Sequence, residues 1–142
     1  MKRTFKKNCF IICFGMFIPF LLSSCKEEGY AIINIQGTLK DSKNNKIDSL
    51  RITIRNTKMN TSDIFRSSTY DNGFDRTYIL EEAEACNYII EVEDIDGEKN
   101  GGFFETQTKT VDILMSDYGN RNDLLVVHPY ANKKINFIMI NK

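Results

Sequence analysis

Three stretches of this chain alternate apolar and polar residues with a period of two, and almost nothing in it carries a helical period. Ala31 to Leu39 sets Ile33, Ile35 and Leu39 on one face and Asn34, Gln36 and Thr38 on the other. Leu50 to Arg55 repeats the pattern, as does Tyr88 to Glu93 with Tyr88, Ile90 and Val92 inward. Successive side chains of a strand point to opposite faces of a sheet, so each stretch predicts a half-buried strand. Glu81 to Ala85 is the one stretch with helical propensity. A single turn is too short to stand as a helix, and a loop is expected there.

Turn chemistry separates these strands. Asp41-Ser42-Lys43-Asn44-Asn45 is rich in side chains that bond their own backbone and tolerate left-handed conformations, and it predicts a hairpin between the first two strands. Asn56 to Ser62 reads as a polar connection, Asp63 to Thr69 as a strand, and Tyr70 to Phe74 as a turn in which Gly73 is free to take a positive φ. Phe74 to Leu80 continues as a strand. Phe103 to Ile113 is Thr-rich and polar on both faces, which suits a sheet edge. Leu114 to Asp123 reads as a loop, Leu124 to Val127 as a short strand stopped by Pro129, and Ile135 to Ile140 as the closing strand. About seven strands spaced by turns predict an all-β fold, a single antiparallel β-sandwich over residues 30–142.

The chain begins differently. Lys2, Arg3, Lys6 and Lys7 precede an apolar run from Phe10 to Leu22, and Leu22-Ser23-Ser24-Cys25 closes it. A charged segment followed by a short apolar one is the pattern of a secretory signal, and the run falls short of the roughly 20 residues that cross a bilayer. The last four residues resemble a bacterial lipobox. That resemblance implies cleavage before Cys25, leaving 1–24 as signal peptide, Cys25 carrying lipid (diacylglycerol and an acyl group such as palmitate), and 25–29 as tether. Each buried methylene contributes about 0.8 kcal/mol, so two or three acyl chains hold where one does not. Lys26-Glu27-Glu28 resembles the export signal of surface lipoproteins of some Gram-negative bacteria, which implies the outer membrane and its cell-surface side.

Charge and cysteine usage narrow the remaining classes. Residues 1–24 hold four basic groups and no acidic one, so the balance of 19 against 19 becomes 15 basic against 19 acidic over the 118 residues from Cys25. A net charge of −4 argues against nucleic acid, which needs a basic surface. Beyond Cys25 the chain keeps one cysteine, Cys86, and one histidine, His128. These form neither an internal disulfide nor a zinc site. Cys86 is either a small core residue or a thiol open to modification.

Gly37-Thr38-Leu39-Lys40-Asp41, Asp71-Asn72-Gly73-Phe74 and Tyr88-Ile89-Ile90-Glu91-Val92 together resemble the transthyretin-like, carboxypeptidase-regulatory type of β-sandwich. Lys46-Ile47-Asp48 and Glu81 to Cys86 depart from that pattern. Val92 to Phe104, with its Asp-x-Asp-Gly and Asn-Gly-Gly-x-Phe, resembles the small lipoproteins named for being encoded beside a radical SAM enzyme. The resemblance implies that such an enzyme is a partner, acting on this chain at Cys86 or in the 94–105 loop.

Within that loop Asp94, Asp96, Glu98, Asn100 and Glu105 fall at positions 1, 3, 5, 7 and 12 of a twelve-residue window. Calcium takes six to eight oxygens from such a loop, so a Ca²⁺ site is one expectation. Lys99 stands where an EF-hand needs glycine and the flanks read as strands, so a solvated turn shaped by Gly97, Gly101 and Gly102 is the other. His128 lacks a recognisable nucleophile or acid partner set. Phe103, Phe104 and Tyr118 are either an aromatic surface or core packing. Asp48-Ser49-Leu50 matches a bacterial O-glycosylation tripeptide, and equally a strand start. The reading that collects these features is a non-catalytic, lipid-anchored envelope module with an unknown surface ligand. The alternative is a substrate of a radical SAM enzyme.

Overall fold

The computed structural model describes residues 30–47, 49–67, 73–100, 102–123 and 126–142. Among the described residues there are eight strands: β1 (Ala31–Asp41), β2 (Arg51–Asn56), β3 (Thr61–Arg66), β4 (Gly73–Leu80), β5 (Cys86–Glu93), β6 (Gln107–Ile113), β7 (Gly119–Asp123) and β8 (Val126–Met139). They form two four-stranded sheets, ordered β4-β1-β8-β7 and β3-β2-β5-β6, packed as a β-sandwich. The expected strands at 31–39, 74–80 and 88–93 fall within these, that at 50–55 matches β2 but for Leu50, which precedes it, and Glu81 to Ala85 is a loop.

The inward rows of the two sheets make the core. Ile33, Ile35, Leu39, Phe137 and Met139 come from the first sheet; Ile52, Ile54, Tyr88, Ile90 and Val92 come from the second. All are buried, and each aliphatic or aromatic side chain so placed contributes about 1.5–3 kcal/mol. The Tyr78 ring stacks on Tyr88 across the layers, with centroids 5.3 Å apart.

Three sequence expectations are corrected. Strands β1 and β2 do not form a hairpin, since they lie in different sheets. The turn itself forms as its composition requires: Asp41 Oδ1 accepts from the Lys43 and Asn45 N–H groups, and Asn44 takes a φ of 69°. It closes over one bridge, Lys40 with Lys46, before the chain crosses to the other sheet so that Leu50 and Ile52 face the core. Secondly, the sheets are not wholly antiparallel, because β1 and β8 run parallel from Ile32–Tyr130 to Asp41–Met139. Strands at opposite ends of the chain have no hairpin between them to impose direction. Thirdly, the stretch read as loop contains β7, and β8 passes through Pro129 without stopping. Pro129 precedes the first β1–β8 pair and has a neighbour on β7 only, so its missing N–H costs the central ladder nothing. Phe103 and Phe104 precede β6, which begins at Gln107 and is an edge strand as expected.

Polar and aromatic contacts close both sides of the sandwich. On one side Arg76 Nε lies 3.3 Å from Asp63 Oδ2 and its guanidinium covers the Phe65 ring at 3.7 Å. The Tyr78 hydroxyl donates to the same Asp63. On the other side Gln107 and Lys109 donate to the carbonyls of Ile138 and Asn136. The backbone pairs there too: Glu105 N–H donates to Ile140 O at 2.8 Å and Lys142 N–H to Phe103 O at 2.7 Å.

Gly37 is required by this packing, because a Cβ added there would stand 2.0 Å from the Phe74 ring. Phe74 is itself core, so the ring has no room to withdraw. Gly37→Ala is expected to lower stability by about 1–3 kcal/mol in urea denaturation through overpacking. Adding Phe74→Leu should restore part of the loss, a coupling that a double-mutant cycle measures directly.

Candidate functional site

The 94–105 loop follows β5, and one carboxylate organises it. Asp94 Oδ1 accepts from the Gly97 N–H at 2.9 Å and the Asp96 N–H at 3.3 Å, while Oδ2 accepts from the Phe104 N–H at 3.0 Å. This is the local bonding that Asp favours in turns, here extended ten residues along the chain. Gly97 has a φ of 66° and opens a 3-10 turn, Gly97–Asn100. Asp94 therefore has oxygens on both sides of the carboxyl group committed to the backbone. Glu98 and Glu105 are exposed, Asp96 keeps Oδ1 shielded without a hydrogen-bond partner, and the Asn100 side chain lies outside what the structure describes. Among the described residues no three His, Cys, Asp or Glu side chains gather as a metal ion requires. The geometry is that of a turn tied together by Asp94.

Cys86 opens β5 and is buried at 3% exposure. Burial, reinforced by the charge of Glu84, pushes its thiol up, which keeps it in the unreactive protonated form. Beneath it, burial raises Tyr88 to about 12, and burial with the Asp63 carboxylate raises Tyr78 as well. Tyr118 packs against the core and its hydroxyl donates to Glu84 O at 3.0 Å. Phe104 is core, whereas Phe103 stays half exposed with Lys142 Nζ 4.7 Å from its centroid. The three aromatics thus have separate duties and do not form one surface.

His128 lies within β8, not in a loop, and is only 6% exposed. The Tyr30 ring stacks on it at 3.8 Å and its Nδ1 has no hydrogen-bond partner. Among the described residues no hydrogen bond joins it to a nucleophile or an acid. Ser49 has a φ of 59° and its N–H donates to Ser67 O, so it belongs to the crossover between sheets. Asp48 and Cys25 lie outside the described residues.

The feature that sequence reading missed is the outward face of the first sheet. Gln36 of β1 is in register with Asp75 of β4 and Lys134 of β8, and Thr38 with Gly73 and Asn136. Between these rows lies a cleft of about 280 Å³, lined by those side chains and by Gly37, Phe74 and Ile135. The next row is Thr77, Asn34 and Asn132. Asn34 is outward by register yet only 7% exposed, because its Nδ2 donates to Asp75 Oδ1 at 2.6 Å and to Thr77 Oγ1 at 3.2 Å. The polar alternation of Asn34, Gln36 and Thr38 is legible in the sequence. Of its continuation on β8, Asn132 and Lys134 fall in a stretch that reads as a connection, while Asn136 lies in the expected closing strand.

Two measurements follow from these geometries. Asp94→Ala should cost about 2–4 kcal/mol in chemical denaturation, since three backbone donors to a carboxylate are lost, and by the same amount in calcium chloride and in EDTA. A calcium-dependent rise in melting temperature that vanishes in Asp94→Ala would restore the metal loop. Tyr88 holds its proton to higher pH folded than unfolded, so the unfolded chain binds fewer protons between pH 10 and about 12. Stability should fall as pH rises through that window, and the slope should be shallower in Tyr88→Phe.

No family model matches the chain, and no curated protein or solved structure matches it.

Proposed function

We propose that the chain is a lipid-anchored cell-envelope protein whose β-sandwich serves as a non-catalytic binding module on the outer membrane, probed from the cell surface. The observation that carries this reading is the lipobox-like Leu22-Ser23-Ser24-Cys25 so close to the start of the folded domain. Tyr30 already packs on His128 and β1 begins at Ala31. Five residue steps separate Cys25 from Tyr30, a reach of at most about 18 Å. A domain so tethered stays beside the bilayer, and its ligand must be found there. The shielded state of Cys86 is consistent with binding rather than nucleophilic catalysis. The net charge of −4 leaves attachment to the lipid.

The intact mass of the protein from its native cell tests this, set against a Cys25→Ala form. The expected mass is that of Cys25 to Lys142 plus lipid, with Cys25→Ala released from the membrane. An uncleaved or unlipidated chain overturns the proposal. Mass left over after the lipid is subtracted would mark a modified chain and favour an enzyme that acts upon it.

A further inference from the structure

The two outward faces of the sandwich differ in chemistry. The second sheet sets its hydroxyls and one amide (Thr53, Ser62, Asn87, Thr108, Thr110) among six charges, Arg51, Arg55, Arg66, Glu91, Glu93 and Asp112, with Arg51 paired to Glu93 and Asn87 tied to Asp112. The first sheet presents amides and hydroxyls in the equivalent place: Asn34, Gln36, Thr38, Thr77, Asn132 and Asn136. Its two central charges are arranged differently as well. Asp75 lies against the amides, accepting from Asn34 and from Gln36 Nε2 at 2.9 Å, and Lys134 lies two strands away across the Gln36 row.

We infer that this outward face of the first sheet binds an extended neutral oligosaccharide, laid along β1 and β8 and gripped by their amides, with one ring seated in the cleft between the Gln36 and Thr38 rows. The inference rests on the surface-binding reading and names the ligand class for it. An amide carries both donors and an acceptor without the desolvation cost of a full charge, and here part of that capacity is used to orient the groups: Asn34 and Gln36 donate to Asp75. A sugar ring presents hydroxyls that each donate and accept, and an amide array can meet them in both senses. The cleft supplies the concavity that such a site needs. Gly37, Phe74 and Ile135 turn their side-chain positions inward, so between the two rows they present backbone, and Gly73 leaves the β4 end of the Thr38 row without a side chain. Thr38 Oγ1 donates to Asn136 Oδ1 at 2.7 Å, which holds that amide in place and leaves its Nδ2 for a ligand. In the neighbouring row Asn34 is more than nine-tenths buried with Oδ1 lacking a partner. Further along, Ile79, Ile32 and Tyr130 form an apolar row in register, suited to the C–H faces of a sugar. From Tyr130 to Asn136 the strand runs about 20 Å, room for several rings in a line.

The test uses the full chain, isotope-labelled and purified in detergent, titrated with maltotetraose, cellotetraose, xylotetraose, mannotetraose and laminaritetraose, with tetragalacturonate as the acidic comparison. Amide resonances and calorimetry are followed together. The expected result is that a neutral tetrasaccharide shifts resonances of the outward rows of β1 and β8. The double variant Asn132→Ala/Asn136→Ala should then weaken binding by on the order of tenfold, and Thr110→Ala on the other sheet should leave it unchanged. Melting temperature is compared throughout, and if the double variant lowers it, Thr77→Ala on the same face replaces it. Three results overturn the inference: no shift with any neutral tetrasaccharide, shifts confined to the second sheet, or binding of tetragalacturonate alone with loss in Lys134→Ala. A chain lipidated at Cys25 that binds none of the sugars removes the glycan and leaves the anchor. An unlipidated chain that binds one removes the anchor and leaves the glycan face.

Discussion

The pairing of β1 with β8 is the contact on which the rest of the architecture depends. It joins residues 98 positions apart, such as Thr38 and Asn136, through ten consecutive parallel pairs at the centre of the first sheet. With it in place, β4 and β7 each find a partner on an outer side, and the inward row of Ile33, Ile35, Leu39, Phe137 and Met139 faces the second sheet. Without it the first sheet has no centre, since β4 and β7 do not touch each other. A one-residue slip of this register would turn the buried row to solvent, so burial on one side specifies it tightly. Closing so long a loop before its contacts form is costly, and pairings of this kind are slow to fold.

The sides of the sandwich are secured by different means, and this leaves the two outward faces free to differ. Between β3 and β4 the Arg76 guanidinium serves Asp63 and the Phe65 ring at once, so an exposed ion pair worth little alone gains from stacking. Between β6 and β8 the contact is mostly side chain to backbone carbonyl, and the chain beyond β8 returns to pair with Phe103 to Glu105. Asp94 anchors the approach to that segment through the Phe104 N–H. The loop that resembles a calcium-binding window in composition therefore acts as a structural tie at one end of the second sheet. Its aspartate meets three backbone donors.

How much of the candidate site was legible depended on sequence distance. The outward alternation of Asn34, Gln36 and Thr38 is plain in β1 because neighbours two apart always share a face. The part of the partner row at Asn132 and Lys134 was hidden by Pro129, which reads as a stop when the neighbouring strands are unknown, whereas Asn136 lay in the expected closing strand. Asn34 shows the same limit at a single residue: its outward direction is local, whereas its burial comes from Asp75 and Thr77 on another strand. Cys86 stood between core packing and reactivity in the sequence. In the fold it is buried, and that burial, with the charge of Glu84, raises the thiol's pKa.

The sequence by itself determined the all-β class, most strand positions, the inward residues of β1, β2 and β5, the turn at Asp41 to Asn45 and the lipobox-like segment at Cys25. These are properties of neighbours in the chain, set by side-chain alternation, turn residues and hydropathy. Only the tertiary structure decided that β1 and β2 part into different sheets, that β1 and β8 run parallel, that β8 continues through a proline and that amides from these two strands gather on one face. Each of those is a relation between residues distant in sequence, fixed by register and by which rows must be buried together, and no local pattern encodes it.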